Sequence, residues 1–330
     1  MRSKTKRILI TPLGWASHLS TFLPFSLGFG VEVRDLSTCL ASADLEVWKR
    51  YISEEERDRI KGWSICLVLN YLEDVRGEKE KLAEKLMHYV AAHLRLIVPN
   101  IVNADRILRA NVRSGKLEPM SVRVHPAPLF LEDCEQMCSE VEIAHLQKLR
   151  TWMPWIVRFR RRWKTFYPLY LSLYFAEMAR AESDARVRHV LRIMALESLL
   201  STDKTYGFNA LSPKILRLLG PQTDLYAQYR NSDQLFLPPL ILVNVLRDVC
   251  QLRNTIAHGS AIPPAWLAGN RRSTIGLGRQ LNYAEELLEA STSMLNLVWK
   301  TIIDSRLQTT FATKSTMQAY FKRKQRKRRP

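Results

Sequence analysis

The residues whose types and spacing could do chemistry lie in one short stretch, Leu252-Arg253-Asn254-Thr255-Ile256-Ala257-His258-Gly259. Arg253 is a permanent cation with forked donors that suit a phosphate. His258 can give and take a proton near neutral pH. Asn254 adds a neutral donor and acceptor. Together they make the equipment for phosphodiester cleavage in RNA without a metal: a base for the 2′-hydroxyl, an acid for the leaving oxygen and a cation for the charged intermediate. One histidine does not readily serve as base and acid in one step, but a symmetric dimer would supply two. The plainer alternative is that Arg253 answers the helix dipole and His258 caps backbone carbonyls.

These side chains need a helix to hold them. Leu242, Val245, Val249, Leu252 and Ile256 recur at spacings of three and four, which predicts a helix with one buried face. Pro238 and Pro239 mark its start, and Gly259 marks its stop as a C′ glycine. Arg253 and His258 then occupy the last turns, roughly 7.5 Å apart along the axis at about 1.5 Å per residue. The negative end of the helix dipole favours an imidazolium there. Upstream, after a break at Ser183-Asp184, Val187, Val190, Leu191, Met194 and Leu200 predict another helix. Glu197 lies close to its apolar stripe, where a carboxylate is costly without a partner. Either Glu197 orients Arg253 or another arginine, or it lies on the flank of the stripe.

The string Arg253-Asn254-Thr255-Ile256-Ala257-His258 resembles the HEPN superfamily signature: Arg, a polar residue, three more residues, then His, at the end of a bundle helix. Ala195-Leu196-Glu197-Ser198-Leu199-Leu200 resembles the ALE-x-L helix of the HEPN subgroup associated with the ApeA anti-phage proteins. The resemblance spans roughly residues 165–312. It implies a C-terminal antiparallel helical bundle and a ribonuclease that needs no metal or cofactor. That enzyme would work as a homodimer through the bundle and leave 2′,3′-cyclic phosphate ends. Arg253 would stabilise phosphate charge, His258 would transfer protons and Asn254 would position groups. The resemblance further implies a role in phage defence or toxin-like growth arrest, with the N-terminal domain sensing a trigger or restraining the nuclease. Two other classes stay open: a non-catalytic HEPN-like module that binds RNA or a nucleotide, and a basic scaffold in which the motif is coincidental.

A chain of 330 residues with 46% hydrophobic content can bury two cores. Its net charge is +18, and Lys322, Arg323, Lys324, Arg326, Lys327, Arg328 and Arg329 supply seven of those charges, leaving +11 on the rest. A basic body with a basic end points to a polyanion, most simply RNA. The end cluster would equally serve as a nuclear localisation signal. Arg271, Arg272 and Arg279 add positive charge after the motif, where they could clamp a phosphate backbone. Cys39, Cys66, Cys134, Cys138 and Cys250 form no disulfide framework, so thiols in a reducing, cytoplasmic compartment are expected. No membrane span and no secretory leader are expected.

In chain order, residues 1–36 are expected to be irregular or β-like, with a short strand around Gly28–Val33. Ser53 and Glu56 make a capping box for a helix drawn through Ile60, Trp63, Leu67 and Tyr71. Leu82, Leu86, Tyr89, Val90, His93 and Ile97 predict a second helix, closed by Pro99. His88 and His93 lie on it without companions for a metal. Residues 111–130 are expected to be a loop with one strand. Residues 150–167 interleave aromatics with Arg158, Arg160, Arg161, Arg162 and Lys164. A helix with its aromatics in the core explains this pattern, and a base-stacking surface is the rival. Ser212-Pro213 starts a short helix ending at Gly220, and Asn282 with Glu285 caps a long final one. The resulting expectation is a mainly α chain. It comprises a mostly helical N-terminal domain with a few short strands (1–150), the HEPN-like bundle (151–312) and a flexible basic tail (313–330).

Overall fold

A computed structural model describes residues 6–14, 19–41, 64–72, 78–98, 106–113, 116–124, 141–201, 208–227, 239–267, 274–275, 279–280 and 282–326. The chain divides into two compact units, Met1–Pro128 with Ser139–Arg161, and Leu129–Cys138 with Arg162–Pro330.

The first unit is built on a six-stranded antiparallel sheet in the order β2-β3-β4-β1-β5-β6. Its strands are β1 (Lys6–Gly14), β2 (Phe25–Gly28), β3 (Val31–Asp35), β4 (Ile65–Leu72), β5 (Arg106–Arg113) and β6 (Lys116–Val124). Its helices are α1 (Leu36–Ala41), α2 (Glu78–Ile97) and α3 (Ile143–Arg161). The expectation of a mainly α chain with a C-terminal antiparallel bundle is therefore overturned: the fold is mixed α/β. The reason is visible in β4. Ile65, Cys66, Leu67, Val68 and Leu69 are all buried, an unbroken apolar run that suits a central strand covered on both faces. The Ser53–Glu56 box lies outside the described residues, but Leu67 and Tyr71 belong to β4 and not to a helix.

Register sorts the side chains. Ile8, Ile10, Cys66, Val68, Leu108 and Ala110 form one cluster, closed by Leu36 and Cys39 of α1. Leu9 pairs with Leu69 and Arg109, so these side chains share the opposite face of the sheet. Helix α2 packs on β1 and β4. Its Glu80 takes Arg7 at 2.8 Å and Arg109 at 2.5 Å, and its Glu84 takes a second nitrogen of Arg109. The stretch 111–130, expected to be a loop with one strand, holds β6 and also the end of β5, which pairs with it as a hairpin. Pro119 sits in β6, the edge strand, where a missing N–H is tolerated, and the register shifts beside it between Arg109 and Ala110. In α3, Trp152, Ile156 and Phe159 are buried, which places this part of the aromatic segment in the core. The boundary drawn between residues 150 and 151 falls inside α3.

The second unit contains α4 (Tyr167–Ala181), α5 (Ala185–Leu200), α6 (Phe208–Leu219), α7 (Leu242–Ala257), α8 (Pro264–Leu267), β7 (Thr274–Ile275), β8 (Arg279–Gln280), α9 (Tyr283–Asp304) and α10 (Lys314–Arg326). Helix α5 packs on α4, α7 and α9. Asp184 caps α5 through its carboxylate, which accepts from the N–H of Arg186 at 2.7 Å. Asn282 and Glu285 form a complete capping box on α9. Pro213 lies inside α6, which begins earlier than expected, at Phe208. The stretch expected to be a flexible tail forms α10 as far as Arg326, because Met317 and Phe321 are buried against the unit.

Two buried histidines give the fold an acid-sensitive window. His93 Nδ1 donates to the Tyr89 carbonyl at 2.7 Å, edge-on to Trp152 and Phe159. His189 Nε2 donates to the Val249 carbonyl at 2.9 Å. Burial pushes each imidazole down to about 4. Above pH ~6.5 both imidazoles are neutral, folded or unfolded. As pH falls from there toward 4, the unfolded chain takes up protons that the folded chain refuses, so stability is lost on acidification. Each histidine contributes a loss of about 3 kcal/mol across that window. Urea unfolding at about pH 7 and pH 4.5 should show the fall, and His93→Phe should reduce it. An unchanged unfolding midpoint would contradict the assignment.

Candidate active site

The motif lies where α7 ends. Leu242, Val245, Leu246, Val249 and Leu252 are buried, which pins the helix by one face and leaves its last turn outward. Its ending is a complete Schellman motif. The N–H of Ser260 bonds the Thr255 carbonyl at 2.8 Å and the N–H of Gly259 bonds that of Ile256 at 3.0 Å. Gly259 adopts φ +67°, a backbone state that a side chain would disfavour. His258 is the C-cap residue, so its side chain leaves the helix at the point where the carbonyls become exposed. It is exposed, and its imidazole makes no hydrogen bond among the described residues.

Arg253 is held from two sides. Its Nη2 donates to Glu197 Oε2 on α5 at 3.1 Å, and its Nη1 donates to Asn254 Oδ1 at 2.9 Å. The Glu197 side chain is 9% exposed and that of Arg253 is 24% exposed, so the ion pair anchors the guanidinium at the rim of the core. A guanidinium fixed in this way has lost much of its rotamer freedom and still carries further N–H donors for an anion. The Glu197–Arg253 contact and the His189–Val249 contact, made one turn before Arg253, advance in the same sense along α5 and α7. An antiparallel pair of helices would reverse one of them.

His189 is the residue that the sequence reading missed. It shares a stripe with Ile193, Leu196 and Leu200, at spacings of four, three and four, which is the signal for a histidine inside a core. Cys250 lies on α7 between Val249 and Arg253. Burial first, and then the carboxylate of Glu197, push its thiol up to about 12, so it is no nucleophile. Tyr283 of α9 donates to Asp248 at 2.6 Å and ties that helix to α7 as well. Glu197 also lines a groove of about 270 Å³ with Tyr167, Leu171, Phe175 and Lys314.

The structure thus brings Glu197, Arg253 and Asn254 into one chain of contacts, with His258 in the cap that follows. Of the other cations, Lys322 and Arg323 are exposed on α10, and Lys324 and Arg326 continue the same helix. Arg279 opens β8. Arg271, Arg272, Lys327, Arg328 and Arg329 lie outside the described residues. Among the described residues, no helix is long and apolar enough to cross a membrane.

Comparison with protein-family models, with curated proteins and with solved structures finds no match to this chain.

Proposed function

We propose that the chain is a metal-independent endoribonuclease of the HEPN type. The observation that supports this most is the anchoring of Arg253 by Glu197 and Asn254, with an exposed His258 in the cap that follows. The Arg–polar–x–x–x–His resemblance supplies the reaction. A base removes the proton of the 2′-hydroxyl, whose oxygen attacks phosphorus. The bond from phosphorus to the 5′-oxygen breaks, and that oxygen takes a proton from an acid. Arg253 faces the charge that gathers on the phosphoryl oxygens. His258 of one copy and the same residue of a second copy divide the base and acid roles in a homodimer. Phage defence or toxin-like growth arrest is the biological setting this reading favours, with the sheet-based unit sensing a trigger.

One assay tests the chemistry. Total RNA incubated with the purified protein in EDTA should acquire 2′,3′-cyclic phosphate and 5′-hydroxyl ends. New ends bearing 3′-hydroxyl and 5′-phosphate would overturn the reading. A second reading rests on the same contacts: a guanidinium already committed to Glu197 and Asn254 also suits a non-catalytic module that binds RNA or a nucleotide. Retention of RNA without any cleavage would favour it.

A further inference from the structure

Past α3 the aromatic segment keeps Phe166 in the core and turns other rings outward. Trp163 is partly exposed, and Tyr167 and Tyr174 are each 50% exposed. With Tyr170 they form a ladder that starts in the turn before α4 and continues along one face of that helix, at spacings of four, three and four. Tyr170 is the ring that the other three meet. Trp163 and Tyr170 are 4.7 Å apart, Tyr167 and Tyr170 are 6.2 Å apart at 24°, and Tyr170 and Tyr174 are 6.3 Å apart at 21°. Scattered exposed aromatics need no explanation, but four rings in contact along one face do.

The chemistry around the ladder indicates what covers it. Arg162 and Lys164 are exposed at its start, and the Lys164 ammonium lies 5.7 Å from the Trp163 ring. The whole chain carries +18. Tyr167 is shared with the groove that Glu197 lines, and Glu197 holds Arg253, so the ladder leads toward the candidate active site. We propose that the ladder is a stacking platform for unpaired bases of RNA, which sets the strand on its way to Arg253 and His258. Every base has a π-face, so such a platform binds without regard to sequence. Such a platform serves a single strand, whose bases are unpaired and can turn a face to the rings. A duplex keeps its base faces to itself.

The proposal rests on RNA being the substrate, so its test measures binding separately from cleavage. The probe is a fluorescent single strand of about 20 nucleotides, 2′-O-methylated so that it cannot be cut, with the same strand annealed to its complement as control. Tyr167→Ala with Tyr174→Ala should weaken single-strand binding by about ten- to a hundredfold and leave duplex binding unchanged. Tyr167→Phe with Tyr174→Phe should keep wild-type affinity, because the π-face remains. Thermal melts confirm that the variants fold. Failure of the wild type to bind the probe would overturn the platform, as would equal binding by the alanine variant. So would loss of dimerisation or of binding to anionic vesicles in place of strand binding, since the ladder would then face a second copy or a membrane. Wrong RNA ends with an intact platform would overturn the ribonuclease reading alone.

Discussion

The His258→Ala protein should melt like the wild type and cleave RNA about 10³-fold more slowly. The melt should be unchanged because His258 is exposed at the helix cap and its ring makes no hydrogen bond among the described residues. Loss of a positioned acid–base group costs about 10²–10⁴ in rate. A shared dimeric site would lose both groups at once, which places the expectation above the lower end of that range. Glu197→Gln gives a different signature. It keeps the shape and one acceptor but removes the charge that holds Arg253 at 3.1 Å. Cleavage should fall less than for His258→Ala, and stability should fall by about 1–2 kcal/mol because the pair is only partly exposed. Rates at saturating RNA and denaturant midpoints separate the two effects. A His258→Ala protein that cleaves at the wild-type rate would remove this histidine from the chemistry.

The second large effect concerns the core that holds the site. Trp299 of α9 is fully buried, and its indole N–H donates to Ser172 Oγ of α4 at 3.0 Å. Trp299→Ala should cost about 3–5 kcal/mol through lost contacts and the cavity left behind. It also strands a buried hydroxyl, which adds to the loss. For a domain of this size the transition should move down by roughly 10 °C, well outside measurement error. Ser172→Ala should cost less, about 1–3 kcal/mol, because it leaves the packing and removes only the hydroxyl that accepts from the indole N–H. A calorimetric scan in which Trp299→Ala matches the wild type would contradict the packing described.

How much of this was legible in the residues depends on the reach of each signal. Local signals worked. The break at Ser183-Asp184 precedes α5, the Asn282–Glu285 box caps α9, and Gly259 ends α7 through bonds within six residues. Periodicity also located α2, because its stripe repeats over five turns. The sheet was not legible, because strand pairing is non-local. Ile65–Leu69 becomes a central strand only when β1 and β3 flank it, and alone it is a short apolar run that fits either state. The same limit applies to the aromatic segment. One continuous pattern divides into buried Trp152 and Phe159 and half-exposed Tyr167 and Tyr174, and only the packing of α3 and α4 decides which is which. At the site, the spacing in α7 placed Arg253 and His258. Glu197 could be suspected from its position near a stripe, whereas the Val249 carbonyl that engages His189 has no mark in the sequence at all.

The ion pairs between α2 and the sheet bear on how the first unit avoids misassembly. Arg7 and Arg109 reach Glu80 and Glu84 only while β1 and β5 keep their present alignment. A slip of either strand by one residue would turn its arginine toward the cluster of Ile8, Ile10 and Leu108, since side chains alternate faces. A guanidinium would then enter apolar surroundings, and a helix carboxylate would lose its cation, at a cost of several kcal/mol. Helix α2 therefore acts as a proofreader of strand alignment, penalising shifted sheets that the apolar residues alone would tolerate.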